Sequence, residues 1–327
     1  MILAGDIGGT KTLVALYEDA SEPLSLVQEA SYPSGDFPSL EDILRVFLDR
    51  APHGALQAAC FAVAGPVIDG KCQITNLVWE LDTAQLAEAL HTRVRLVNDL
   101  EGAAHGLLCL GPHELEVLQS GRKRPGNFAL IAAGTGLGEA LLVPIGGRSH
   151  VIASEGGHVD FAPRTDLETA LLSFLRKKYG HVSYERLLSG PGLYNIYRFL
   201  RDSGSASEPA WLQERLAAAA DPSAVISEVA LSAGHPLCTA ALDLFVSVYG
   251  AEAGNLALKS LALGGVFVAG GIAPKILPKL RDGAFVRAFA DKGRFAALLH
   301  SIEVSVVLNP RLALLGAVTV ARDLSKA

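Results

Sequence analysis

Two short glycine-rich segments contain the residues whose types best fit phosphate chemistry. The first reads Gly5-Asp6-Ile7-Gly8-Gly9-Thr10, and the second reads Gly134-Thr135-Gly136-Leu137-Gly138. Backbone N–H groups that no side chain covers can cradle phosphate oxygens, and a carboxylate beside them can organise a hydrated Mg²⁺. We therefore expect the two segments to grip one polyphosphate, with Asp6 as a magnesium ligand through water.

Each segment also has a purely structural explanation, because glycine reaches positive φ without steric cost and so favours tight hairpins. Two familiar nucleotide motifs do not apply. A P-loop requires glycine directly before Lys-Ser/Thr, whereas Thr10 precedes Lys11. A dinucleotide-binding fingerprint opens a helix, whereas Gly134–Gly138 runs into a strand-like stretch. The phosphate hypothesis depends on the composition of both segments together.

A carboxylate that fits a general base follows another strand-like segment. Asn98 and Asp99 come directly after the β-rich run Val94–Val97 and before a helical pattern from Gly102 to Leu110. Ligands in α/β sheets usually lie at such strand ends. Phosphoryl transfer to an alcohol needs a group that accepts the hydroxyl proton, and Asp99 fits that role. The alternative is that Asp99 only caps the following helix.

Further polar candidates lie between residues 154 and 192. Glu155 and His158 flank two glycines and could hydrogen-bond sugar hydroxyls, whereas metal binding by His158 lacks a second histidine at ligand spacing. Glu185 precedes Gly190-Pro191-Gly192, which we interpret as helix-breaking. A single glutamate is usually a solvated surface charge. Only the combination of these residues favours a binding role.

The elements expected around these residues indicate an α/β fold. Within it, a pair of strands joined by a glycine turn occurs twice. That repetition indicates internal duplication. From Asp166 onward helical patterns dominate. Strands are predicted at 2–4, 12–17, 58–64, 94–97, 127–133, 139–144, 266–269 and 304–308, and helices at 39–48, 83–91, 102–110, 167–178, 191–202, 211–220, 236–263 and 310–324.

Composition narrows the class of protein. A chain of 327 residues, half of them hydrophobic, predicts two domains. The net charge of −6 comes from scattered acids and bases, so we expect no nucleic-acid partner. The start of the chain lacks a signal-peptide pattern, and the apolar stretch Leu256–Ile272 contains Lys259 and several glycines, so we expect no membrane partner. The four separated cysteines predict reduced, buried thiols and a cytoplasmic protein.

Together these segments closely resemble the bacterial glucokinase family over nearly the whole chain. Several motifs in order make the resemblance specific. They are 5–10, 98–99, 133–138, Glu155-Gly156-Gly157-His158-Val159-Asp160-Phe161-Ala162-Pro163, Glu185-Arg186-Leu187-Leu188-Ser189-Gly190-Pro191-Gly192, Ala269-Gly270-Gly271-Ile272 and Asp291-Lys292-Gly293-Arg294-Phe295.

The resemblance implies the actin-like ATPase (ribonuclease H-like) fold, with two α/β domains around a cleft. Residues 1–109 plus 308–327 would form the small domain and residues 110–307 the large, helix-rich one. It implies phosphorylation of glucose at the 6-hydroxyl by MgATP, a catalytic base at Asp99, and a homodimer. The implied glucose ligands are Asn98, Asp99, Glu155, His158 and Glu185, and the implied nucleotide ligands are Gly5, Asp6, Ile7, Gly8, Gly9, Thr10, Gly134, Thr135, Gly136, Gly270 and Gly271.

A sister group of sugar kinases and sugar-responsive repressors carries a cysteine-rich zinc motif after its glycine-histidine segment. This sequence has no cysteine between Cys109 and Cys238, which favours the zinc-free branch. Two alternatives stay open: a kinase for another hexose or an amino sugar, and a non-catalytic sugar sensor. ATP, rather than ADP or polyphosphate, is expected as donor from the resemblance alone.

Overall fold

A computed structural model describes residues 1–18, 25–51, 54–74, 77–146 and 148–326. The strands within those ranges are β1 (Ile2–Ile7), β2 (Lys11–Glu18), β3 (Ser25–Pro33), β4 (Ala58–Val63), β5 (Lys71–Gln73), β6 (Glu80–Asp82), β7 (Arg93–Asn98), β8 (Leu115–Gln119), β9 (Phe128–Ala133), β10 (Leu137–Ile145), β11 (Arg148–Ser154), β12 (Gly265–Ala269) and β13 (Val304–Val307). The helices are α1 (Leu40–Arg50), α2 (Thr83–Leu90), α3 (Asp99–Gly106), α4 (Asp166–Tyr179), α5 (Gly190–Asp202), α6 (Ala210–Ala218), α7 (Pro222–Ser232), α8 (Pro236–Ser260), α9 (Leu277–Leu280), α10 (Ala284–Ala290), α11 (Ala296–Leu299) and α12 (Leu312–Lys326).

The chain divides into two compact units. Unit 1 comprises Met1–Gly111, Val151–Ala153 and Arg311–Ala327, and unit 2 comprises Pro112–His150 and Ser154–Pro310. Ala327, the last residue of the predicted small domain, lies outside the described residues.

A five-stranded sheet in the order β3-β2-β1-β4-β7 forms the centre of unit 1. Strands β1, β2 and β3 pair antiparallel, whereas β1, β4 and β7 run parallel. Successive side chains of a strand point to opposite faces. Accordingly Leu3 of β1 packs in one cluster with Phe47 of α1, and Ala4 packs in another with Leu314 of α12. The sheet is therefore covered by helices on both faces.

Helix α12 packs against α3 through glycines, although the two helices are far apart in sequence. A Cβ atom at Gly316 would collide with the carbonyl oxygen of Gly102, and one at Gly106 would collide with that of Leu312. Only glycine lets the two backbones approach this closely. The C-terminal helix thereby completes unit 1.

Unit 2 contains a six-stranded sheet in the order β11-β10-β9-β12-β13-β8. Strand β9 pairs antiparallel with β10 and parallel with β12, and β12 pairs parallel with β13. Helix α8 lies in the core of this unit, where Phe245 and Tyr249 are fully buried. It is the one helix, among the residues described, that is long and apolar enough to cross a membrane, and 78% of its most apolar window is buried. Such burial is typical of a core helix.

The two units share a local topology. In unit 1 the hairpin of β1 and β2 is followed by β4, which pairs parallel with β1. In unit 2 the hairpin of β9 and β10 is followed by β12, which pairs parallel with β9. This repeated arrangement matches the internal duplication predicted from the two glycine segments.

The four cysteines are all free, but one of them is not buried. Cys60, Cys72 and Cys238 are buried, whereas Cys109 is exposed. Cys109 ends the short 3-10 helix Leu107–Cys109 after α3, and its Sγ lies 3.1 Å from the Thr319 hydroxyl. The prediction of burial is wrong for Cys109 because its segment runs along the surface of unit 1.

Candidate active site

The first glycine turn is shorter than predicted. Strand β1 continues to Ile7 and β2 begins at Lys11, so residues 8–10 alone form the turn. Gly5 instead lies within the sheet, where a Cβ would be 2.8 Å from Cδ1 of Phe61. Packing within the strand thus explains why residue 5 is a glycine. Asp6 and Ile7 also belong to β1.

Hydrogen bonds fix the shape of the turn and leave two donors unused. The N–H of Gly8 donates to the Lys11 carbonyl at 3.0 Å, and Ser34 donates to the Gly8 carbonyl through Oγ at 2.7 Å and to the Thr10 carbonyl through its N–H at 3.0 Å. Within the described part of the chain, the N–H groups of Gly9 and Thr10 donate to no backbone carbonyl. They are available for phosphate oxygens. Ser34 is not predictable from the sequence, because a single serine far along the chain carries no local signal.

Asn98 and Asp99 lie where β7 meets α3. Asn98 ends the strand and caps the helix, since its Oδ1 accepts from the Leu100 N–H at 2.9 Å while its Nδ2 donates to the Gly65 carbonyl at 3.0 Å. Asp99 Oδ1 accepts from the same N–H at 2.8 Å. The helix therefore begins at Asp99, three residues before the predicted start at Gly102, because Asn98 satisfies its first free donor.

The carboxylates of Asp6 and Asp99 influence each other in unit 1. Burial and, second, the negative charge of Asp99 raise the pKa of Asp6 to about 6, against the opposing effect of Lys11. Strands β1, β4 and β7 run parallel, so Asp6 and Asp99 stand near the same edge of the sheet. Two carboxylates that repel each other form an attractive place for a cation.

The donor set suits magnesium better than a metal held by protein ligands alone. No group of three or more His, Cys, Asp and Glu side chains that could hold a metal occurs in the ranges the structure describes. Magnesium usually takes one or two carboxylates and completes its coordination with waters and substrate phosphates. Asp6, beside a turn with free N–H groups, fits that requirement.

The second glycine turn, like the first, consists of three residues between two antiparallel strands. Strand β9 ends at Ala133 and β10 begins at Leu137, so the turn covers 134–136 and Gly138 lies in the strand. The N–H of Gly134 donates to the Gly136 carbonyl at 2.8 Å, and the Gly134 carbonyl accepts from the Gly190 N–H at 2.8 Å. As in the first turn, the N–H groups of Thr135 and Gly136 find no backbone acceptor among the described residues.

Gly270 and Gly271 lie beside this second turn. Because β12 runs parallel to β9, the residues that follow β12 stand next to Ala133. Gly270 has a φ of +85°, and a Cβ there would collide with the Ala133 backbone. By contrast, nothing lies within 4 Å of the position that a Cβ at Gly271 would take. The structure thus brings the predicted nucleotide residues of unit 2 to one edge of its sheet.

The start of β10 also contacts the two segments that carry the predicted sugar-binding residues of unit 2, through Glu185 and through Gly157. Glu185 Oε2 accepts from the Leu137 N–H at 3.1 Å and occupies the space left by the missing side chain of Gly136. His158 Nε2 lies 3.9 Å from Glu155 Oε2, and both side chains are exposed. The Tyr184 N–H donates to the Val159 carbonyl at 3.1 Å, which ties the two segments together.

Gly190-Pro191-Gly192 begins a helix rather than breaking one. Ser189 is the N-cap of α5, since its Oγ accepts from the Gly192 N–H at 3.0 Å and donates to the Glu185 carbonyl at 2.8 Å. Proline is tolerated in the first turn, where its missing N–H has no partner to lose. A serine directly before Gly-Pro is the signal that could have identified this residue as a support for Glu185.

Comparison with known proteins agrees with the sequence resemblance. The glucokinase family model matches residues 3–324. A glucokinase from Nostoc sp. (strain PCC 7120) is 44% identical over 97% of each chain. The crystal structure of glucokinase from an Antarctic psychrotroph has a TM-score of 0.87 at 33% identity and 98% coverage of each chain. That of Balamuthia mandrillaris glucokinase, in complex with glucose, has a TM-score of 0.81 at 25% identity and covers 98% of this chain and 93% of that one.

These matches confirm the predicted actin-like ATPase fold with two α/β units. They also extend over both glycine turns and every predicted site residue, since the family model runs from residue 3 to residue 324. The chain therefore belongs to the glucokinase family.

Proposed function

We propose that the chain phosphorylates D-glucose at its 6-hydroxyl with MgATP, giving glucose 6-phosphate and ADP, as the first step of glycolysis. As a member of the glucokinase family it is an ATP-dependent hexose kinase. The observation that carries the proposal is the pair of glycine turns, each next to acidic residues and each with two N–H groups that no backbone carbonyl of the described residues uses.

The two turns supply the nucleotide-binding groups. The N–H groups of Gly9 and Thr10 in the first turn and of Thr135 and Gly136 in the second bind phosphate oxygens, as oriented N–H groups do in other anion sites. Gly5 and Ile7 act through β1, which fixes the position of Asp6. The open space at Gly271 supports an adenosine position beside Gly270 and Gly271, because a ligand there meets backbone only.

Asp6 is the residue that would hold magnesium, through water. When bound, the cation neutralises the charge that develops on the phosphates during transfer. Proximity to such a cation would also stabilise the ionised form of Asp6, whose pKa is raised to about 6 mainly by burial and second by the charge of Asp99.

Asp99 acts as the general base. It accepts the proton of the glucose 6-hydroxyl as that oxygen forms a bond to the γ-phosphorus and the bond between γ-phosphorus and the β–γ bridging oxygen breaks, releasing ADP. The hydrogen bond from the Leu100 N–H to Oδ1 of Asp99, at 2.8 Å, helps to fix the orientation of this carboxylate.

Sugar recognition falls to Asn98, Glu155, His158 and Glu185 together with Asp99. Exposed carboxylate and imidazole groups at Glu155 and His158 offer acceptors and donors for ring hydroxyls. A hydrogen bond to a charged group contributes about 1.5 to 3 kcal/mol, enough to discriminate between sugars that differ at one hydroxyl.

A hexose panel tests the proposal. ADP release is measured with glucose, mannose, fructose and glucosamine, and with ATP, ADP or polyphosphate as donor. We expect the highest kcat/KM for glucose with ATP. Preference for another hexose would support the specificity alternative, and sugar binding without turnover would support the sensor alternative.

We also propose domain limits, cellular location and assembly. The division of the chain near 111 and 310 supports a small domain of residues 1–109 plus 308–327 and a large one of 110–307. Four unpaired thiols support a cytoplasmic location. Family membership supports a homodimer.

A further inference from the structure

Unit 2 contains a buried carboxyl pair that the proposed mechanism does not use. Glu139 of β10 is 1% exposed and Glu252 of α8 is fully buried. Buried carboxyl groups are unfavourable unless other groups compensate them. The pair therefore needs an explanation in this enzyme.

Hydrogen bonds assign different states to the two carboxyls. Both oxygens of Glu252 accept hydrogen bonds. Asn255 Nδ2 donates to Oε2 at 2.8 Å, and Lys259 Nζ donates to Oε1 at 3.3 Å. Oε1 of Glu139, in contrast, has no hydrogen-bond partner among the described residues. The pair is consistent with a protonated Glu139 that donates to Glu252.

The charges around Glu139 favour the same assignment. Burial is the largest cause that raises the pKa of Glu139, followed by the negative charge of Glu252, and a hydrogen bond with Glu252 adds to both. Lys259 lowers it, and the resulting pKa is about 8. Glu252, Lys259 and Tyr249, all of α8, interact electrostatically with Glu139, and the Tyr184 hydroxyl, from another segment, hydrogen-bonds Glu252. At neutral pH Glu139 therefore keeps its proton.

The pair lies directly under the proposed sugar-binding segments. A Cβ at Gly156 would collide with Oε2 of Glu139, so the carboxyl packs against the backbone next to Glu155. On the other side, Asn255 Nδ2 also donates to the Tyr184 hydroxyl at 3.1 Å, one residue before Glu185. The carboxyl pair thus links the two segments that carry Glu155, His158 and Glu185.

We propose that Glu139, held by Glu252, is a positioning residue that keeps the backbone of 155–158 in the orientation required for sugar binding. This inference rests on the proposed role of Glu155 and His158 in binding glucose. It predicts that the affinity for glucose, rather than for ATP, depends on the carboxyl pair.

Two variants separate packing from ionisation. Glu139→Ala removes the group that supports Gly156 and should raise KM for glucose on the order of tenfold with KM for ATP unchanged, since small displacements of binding groups have large effects. Glu139→Gln keeps the shape and cannot ionise. We expect wild-type KM for glucose to rise above about pH 8, as Glu139 loses its proton beside Glu252, and the Gln variant to lack that rise.

Calorimetric titration with glucose, KM measurements from pH 6.5 to 9.5 and thermal unfolding provide the readouts. Glu208→Gln is the matched control, because Glu208 accepts from the Tyr197 hydroxyl at 2.6 Å in another part of unit 2 and should affect stability only. If Glu139→Ala does not fold, the pH dependence of KM for glucose in wild type and in Glu139→Gln tests the positioning role instead.

Unchanged glucose affinity in folded Glu139→Ala, or an alkaline rise of KM that persists in Glu139→Gln, would overturn the positioning role alone. A wild-type protein that neither binds nor phosphorylates glucose would instead overturn the proposed function, and this inference with it.

Discussion

Asp6 is less stable in its ionised form than an ordinary aspartate when no cation is bound. Its pKa is about 6 in the folded protein, against 3.8 for an unperturbed aspartate. An unfolded chain releases this proton at lower pH than the folded chain, so the group destabilises the folded state increasingly as pH rises from about 4 through 6. We interpret this penalty as a consequence of placing Asp6 where magnesium binds.

Asp6→Asn should therefore separate stability from function. At pH 7.5 without magnesium, we expect its free energy of unfolding to exceed the wild-type value by on the order of 1 kcal/mol, with the gain shrinking towards pH 5. Its kcat with MgATP should fall at least tenfold, because the cation loses its carboxylate. Chemical denaturation and ADP release provide the two measurements. A variant as active as wild type would contradict the role of Asp6.

The residues that can be predicted from the sequence are those whose chemistry depends on local composition. Asp99 was predicted because a carboxylate directly follows a strand, and the structure places it at that strand end. Ser34 and Glu139 could not be predicted in this way. Ser34 acts on a turn 26 residues earlier, and Glu139 looks like an ordinary strand glutamate until Gly156 and Glu252 are placed around it.

At the scale of elements, the glycines of the two glycine-rich segments are required for different structural reasons. No atom lies within 4 Å of the place that a Cβ at Gly134 would occupy. Its φ also lies outside the left-handed region, so packing and backbone conformation both permit alanine there. We therefore propose that the glycine is required by a ligand that approaches the backbone.

Gly134→Ala should consequently fold normally and bind nucleotide poorly. We expect a stability within about 0.5 kcal/mol of wild type. We expect KM for ATP about tenfold higher or more, comparable with losing one hydrogen bond to a charged group, and unchanged KM for glucose. Gly54→Ala is the matched control, because its Cβ position is equally open and lies outside both turns. Steady-state kinetics with either substrate varied provide the measurement. A wild-type KM for ATP in Gly134→Ala would exclude a phosphate role for this turn.

Element boundaries show where local sequence signals fail. Gly5 and Gly138 suggest turns by composition, yet both lie in strands, and for Gly5 the reason is the close approach of Phe61. Helix α7 is absent from the predicted helices, although Asp221-Pro222 is a helix start signal. In the structure Asp221 Oδ1 accepts from the Ser223 N–H at 3.0 Å. The alanines and serines of α7 hide the apolar spacing, which becomes evident only when Ile226 and Val229 are seen to be buried.

At the scale of the whole molecule, the joining of distant segments was predictable only by resemblance to a family. Nothing in the spacing of residues 310–324 indicates that this helix packs on the first sheet. The structure supplies the reason, because Gly316 and Gly106 allow α12 and α3 to touch through their backbones. Such pairwise fit between segments more than 200 residues apart leaves no trace in either segment alone.

Assembly is a property of the same scale. If the chain forms a homodimer, light scattering during gel filtration should give twice the mass of one chain at micromolar concentration. A mass of one chain under those conditions would contradict the proposal. The result would leave the assignments of Asp6 and Asp99 unaffected.

The central claim is that this chain transfers the γ-phosphoryl group of ATP to glucose with Asp99 as base. The most direct measurement compares ADP release and calorimetric glucose binding in wild type, Asp99→Asn and Asp49→Asn, an exposed residue of α1 that serves as control. We predict that Asp99→Asn loses roughly 10² to 10⁴-fold in kcat while it stays folded and still binds glucose. Wild-type turnover in Asp99→Asn, or no glucose-dependent ADP release by the wild-type protein, would contradict the account.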